Sequence, residues 1–74
     1  MRKKVWSEDD ATTHDPDHEH VEKAYKRLVG REFDTRDAIR VNDQGDAIEY
    51  EMPEGWFVIM SYPGNSAIER LVAS

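Results

Sequence analysis

The stretch from Trp56 to Tyr62 is apolar on both of the faces a strand presents, with Ser61 as its polar member. A strand that is dry on both sides belongs in the interior of a sheet. The rest of the chain must therefore be arranged around it. Its longest wholly apolar part, Trp56 to Met60, has five residues, far short of the roughly 20 that span a membrane. The 74 residues are read as one domain, residues 1–74. A chain of that size buries only about 60% of the surface it exposes when unfolded, so its core is thin. There is no cysteine, so neither disulfides nor thiolate-bound metals can reinforce that core. The lack of cysteine fits a reducing compartment. Met1-Arg2-Lys3-Lys4 is a basic start, but only Val5 and Trp6 separate it from Ser7-Glu8-Asp9-Asp10. No apolar leader core is present there, and the cytoplasm is the expected location.

One helix is written plainly. Asp15 is placed as its N-cap and Pro16 as its first residue, where a missing N–H is harmless. Val21, Ala24, Tyr25, Leu28 and Val29 form one apolar stripe at helical spacing. Asp17 and Glu19 suit the positive end of the helix dipole. Glu19–Lys23 and Glu22–Lys26 are i,i+4 pairs in the favourable order. Gly30 follows as the helix stop. Beyond Phe33, Ile39 and Val41 share a strand face. Asn42-Asp43-Gln44-Gly45-Asp46 is turn chemistry. Ile48, Tyr50 and Met52 then alternate with Ala47, Glu49 and Glu51, giving one dry and one wet face. Pro53-Glu54-Gly55 turns the chain into the Trp56 strand, and Pro63-Gly64-Asn65 ends it. Ser66 and Glu69 have capping-box spacing, so residues 66–74 are read as a short C-terminal helix, with a terminal strand as the alternative. Lys3 to Trp6 is read as an edge strand. The expected fold is α+β: an antiparallel sheet of three to four strands packed on one main helix, with a short helix at the end.

Charge is unevenly spread. Residues 1–6 carry +3, residues 7–22 carry −7 with no Lys or Arg, and the remainder carries −2, for a net −6. An acidic chain repels phosphate, so direct nucleic-acid binding is not expected. A protein partner with a basic surface is. Residues 7–15, polar and without periodicity, read as a mobile acidic loop. The expected partner-binding residues are Asp9, Asp10, Asp15, Asp17, Glu19 and Glu22, with Trp56 as an exposed aromatic anchor. The aromatic content of the sheet, with Tyr50, Trp56, Phe57 and Tyr62, otherwise reads as core. A homodimer is a further reading, because apolar residues on both faces of residues 56–62 exceed what so short a chain covers alone.

His14, His18 and His20 lie among carboxylates, and imidazole with carboxylate is a zinc or nickel donor set. On a helix, His18 and Glu22 face one way, His20 points about 200° away, and His14 can swing toward His18. The candidate set is His14, His18 and Glu22, but its spacing matches no established motif. A small metal- or ligand-responsive domain is the alternative function this cluster supports. No cofactor is implied. Catalytic patterns are lacking: no nucleophile elbow surrounds any serine, and the four glycines are isolated, with no phosphate-cradling loop. The chain is not expected to be an enzyme.

In size, acidity and lack of catalytic motifs the chain is similar to phage-encoded inhibitor proteins, including anti-CRISPRs and other host-takeover factors, some of which act by DNA mimicry. That resemblance rests on general character and assigns no residue a role. It implies a viral protein acting in host cytoplasm, inhibiting a nucleic-acid-handling protein.

Overall fold

A computed structural model of the chain describes residues 1–8, 19–61 and 66–73. Five strands and one helix follow in the order β1 (Arg2–Ser7), α1 (Glu19–Val29), β2 (Arg40–Asp43), β3 (Ala47–Met52), β4 (Trp56–Ser61) and β5 (Ala67–Leu71). The strands make one antiparallel sheet in the order β1-β5-β4-β3-β2. The α+β class and the helix-on-sheet packing are as expected. The sheet has five strands instead of three to four, and the expected C-terminal helix is strand β5. The slot between β1 and β4 decides this. Five residues are too few to establish helical periodicity, and a strand there gains hydrogen-bonded neighbours on both sides. Ile68, fully buried, faces Val58 on β4 and Trp6 on β1.

The helix forms where its stripe requires. Val21, Ala24 and Tyr25 are buried against Met52, Trp56, Val58 and Ile68. Val29 is half-buried, while Leu28 lies at the margin. Gly30 adopts φ +87° just past the last turn, a left-handed stop that glycine adopts without strain. The expected cap at Asp15 and Pro16 lies outside the described residues. Tyr25, Phe33 and Tyr50 continue the core as two edge-to-face contacts, with centroids 5.3 and 5.6 Å apart. Burial pushes the Tyr25 phenol above its ordinary value, with Arg31 pulling the other way.

The turns follow their residues. β2 and β3 are joined by the two-residue hairpin Gly45-Asp46. Gln44 N–H donates to the Ala47 carbonyl (2.8 Å), and Asp43 Oδ1 accepts from Gly45 N–H (2.9 Å). Gly45 takes positive φ (92°) there, a region that glycine enters without strain. Between β3 and β4, Glu54 and Gly55 both take positive φ, 68° and 83°.

The two sheet faces differ sharply. Trp56, Val58 and Met60 point toward the helix side. Phe57 and Ile59 point away, beside Glu49 and Glu51 of β3 and Ala67 and Glu69 of β5. On that outer face the Arg2 guanidinium lies over Phe57, ion-paired to both Glu49 and Glu69.

Candidate partner-binding site

The acidic run begins on one secondary-structure element and ends on another, and the fold brings the two ends together. Glu8 follows the last residue of β1, and its backbone N–H donates to the Ser66 carbonyl (2.8 Å). Its carboxylate is buried, and its Oε1 lies 2.7 Å from Nδ1 of His20 in the first turn of α1. Ser66, at the entrance to β5, is 1% exposed. A buried carboxylate needs a polar partner, and His20, itself half exposed, supplies it. An open cleft of about 430 Å³ lies beside this contact, between Trp6 and Ser7 on one side and Lys23 and Arg27 on the other.

The expected binding residues divide into three groups. Asp9, Asp10, Asp15 and Asp17, with His14 and His18, lie outside the described residues. Glu19 and Glu22 stand exposed on the first turn of α1. The expected Glu19–Lys23 pair forms at 2.8 Å. Trp56 requires a correction: it is 6% exposed, sits in the core, and has the Arg70 guanidinium over its ring at 4.7 Å. It faces the helix because its register partner is the buried Met52. The aromatic residue on the opposite face is its neighbour Phe57. As for a metal, no group of three or more His, Asp or Glu ligands converges among the described residues. Of the candidate set only Glu22 is described.

The Glu8–His20 contact was not apparent from the sequence. The partners are twelve positions apart, and neither spacing nor periodicity links a strand end to a helix start. Asp34 belongs to a separate feature. Its carboxylate caps the short turn Thr35–Asp37 by accepting from Arg36 N–H (2.9 Å) and grips the Arg36 guanidinium. That side-chain bond, followed by the backbone bond, lowers its pKa to about 2.

No helix among the described residues is long and apolar enough to cross a membrane. No family model, curated protein or solved structure matches the chain.

Proposed function

We propose that the chain is a protein-binding module that presents its acidic run to a basic surface of a nucleic-acid-handling partner and inhibits it by occupying that surface. The observation that carries this reading is the contact between Glu8 and His20, which joins the end of the acidic run that follows β1 to the end that opens α1. In the sequence, Asp9, Asp10, Asp15 and Asp17 lie between Glu8 and the exposed Glu19 and Glu22 of the first helical turn. Concentrated negative charge of this kind steers association with Lys- and Arg-rich surfaces and makes it salt-sensitive. The net charge of −6 favours a basic protein over nucleic acid itself.

The test is a capture experiment with the immobilised chain, washed at low salt and at about 0.5 M, where the Debye length has shrunk well below 10 Å. It is run in parallel with a variant carrying Asn at Asp9, Asp10, Asp15 and Asp17 and Gln at Glu19 and Glu22. A nucleic-acid-binding protein held by the native chain, released by salt and missed by the variant is the expected result. The purified captured protein should then lose its hold on its nucleic acid when the native chain is added. Equal capture by both chains would overturn the reading.

A further inference from the structure

The cleft beside the Glu8–His20 contact lines up three kinds of chemistry. Its walls are one flank of α1 and the end of β1. His20, Lys23, Ala24 and Arg27 share that flank, because residues three and four apart are neighbours on a helix surface. From His20 to Arg27 the helix rises about 10 Å. Across from them, Trp6 is paired with the fully buried Ile68, which sets its indole on the helix side of the sheet.

Each part of the cleft offers a different contact. At one end, Glu8 is 8% exposed and yet lines the cleft. Its Oε1 is engaged by His20, so Oε2 is the acceptor that this end can offer. In the middle, Trp6 is half-buried and faces the small Ala24 flank, leaving an indole on which a flat ring can lie. At the far end, Arg27 is exposed and pairs with no carboxylate among the described residues. Lys23, one turn earlier, adds a second positive charge, and its pair with Glu19 is exposed and weak. Farther along the same sheet face, Lys3 stands directly opposite Arg70, one register step from Trp6 and Ile68. Like charges set opposite each other are unfavourable, and a nearby anion relieves them.

We infer that this cleft binds a nucleoside monophosphate whose base bears an exocyclic amine. The base stacks on Trp6. The amine donates to the Glu8 carboxyl group, as exocyclic amines do to Glu and Asp elsewhere. The phosphate meets Arg27 and Lys23, with the guanidinium supplying paired donors. A ligand with a donor at one end, a ring in the middle and an anion at the other matches the order of these groups along α1. The cleft volume of about 430 Å³ falls within the roughly 300–1,000 Å³ of small-molecule sites.

The net charge of −6 works against a polyanion, which meets the field of the whole surface. A single phosphate at Arg27 meets mainly the cations beside it, because charges beyond about 10 Å are screened. The site is independent of the acidic run and of any protein partner that the run engages.

An NMR titration of the full chain with cytidine monophosphate tests this, read at the indole N–H of Trp6 and the side chain of Arg27. Parallel titrations use uridine monophosphate, cytidine and inorganic phosphate. The expected dissociation constant for cytidine monophosphate is below about 1 mM. Uridine monophosphate should bind about tenfold more weakly, because a carbonyl replaces the amine that Glu8 accepts from. Cytidine, without the phosphate, should also bind about tenfold more weakly. Arg27→Ala should remove most of the advantage of cytidine monophosphate over cytidine. Trp6→Leu should weaken both, and Arg40→Ala on the distant β2 should change neither. Circular dichroism reports whether each variant keeps the fold. No saturation by cytidine monophosphate up to about 5 mM would overturn the inference. Equal affinity for cytidine monophosphate and either uridine monophosphate or inorganic phosphate would do the same, as would unchanged affinity in a folded Arg27→Ala variant.

Discussion

The guanidinium of Arg2 lies 3.9 Å from the ring centroid of Phe57, on the face of the sheet opposite the helix. Three strands contribute to this arrangement besides β1: Phe57 from β4, Glu69 from β5 and Glu49 from β3. Phe57 is 8% exposed as a result, although it points away from the helix-side core. A single side chain thus lets a one-helix fold carry a phenylalanine on its outer face.

Replacing Arg2 tests that arrangement. Arg2→Ala removes a cation–π contact and leaves Glu49 and Glu69 without a shared counter-ion. The expected loss is about 1–2 kcal/mol by urea denaturation. Arg2→Lys should recover only part of it, because an ammonium cannot cover a ring and fork to two carboxylates with the same geometry. Equal stability of the Ala and native chains would show that other groups shield Phe57.

Neighbouring positions in the β3–β4 turn should respond in opposite directions. Glu54 holds φ 68°, which costs an ordinary side chain about 1 kcal/mol. Glu54→Asn, better suited to that region, should raise stability by about 0.5 kcal/mol. Its ion pair with Arg31 is exposed and contributes little. Gly55 has φ 83°, and a Cβ there would stand 3.3 Å from Cβ of Leu71. Gly55→Ala should therefore cost about 1–2 kcal/mol. Thermal melts of the two variants check the opposed signs.

The buried carboxylate of Glu8 makes His20 a stability residue. His20→Ala removes a hydrogen-bond partner of a carboxyl group that is 8% exposed, and the expected cost is about 1–3 kcal/mol. In the paired variant Glu8→Ala with His20→Ala, the loss should fall short of the sum of the two single losses. Strict additivity in the double-mutant cycle would mean that the pair is not coupled.

Acid should loosen the Thr35–Asp37 turn in a narrow window. The folded pKa of Asp34 is depressed from the ordinary 3.8 to about 2. A depressed carboxylate binds its proton more readily in the unfolded chain, so its stabilising contribution is present above the unfolded value. That contribution is lost as pH falls from about 4 toward about 2. Carboxyl-carbon NMR titration of Asp34 should show the low midpoint, and Arg36→Ala should return it toward 3.8.

Much of this architecture was written locally. The apolar stripe from Val21 to Val29, the stop at Gly30, the turn at Gly45 and the dry–wet alternation of Ile48 to Met52 each lie within a few residues, and local spacing sets them. The last strand was not legible in that way. Ala67-Ile68-Glu69-Arg70-Leu71 fits a helical turn and a strand equally well, and the choice was made by β1 and β4 on either side. The orientation of Trp56 depended on its register with Met52, a tertiary fact. The link from Glu8 to His20 and the covering of Phe57 by Arg2 join residues that no periodicity relates. The described part of the candidate site was legible only as exposed acids on a helix start.

The position of β5 also governs the order of assembly. Arg2 is paired with Leu71, and among the described residues β5 is the one strand beside β1. As the chain leaves the ribosome, β1 emerges first and cannot be hydrogen-bonded into the sheet until nearly all the described residues have followed. The hairpins of β2, β3 and β4 are local and close quickly, whereas the β1 pairing carries the largest loop-closure cost in the fold. Until β5 arrives, the edge of β4, the most apolar strand in the protein, stands open.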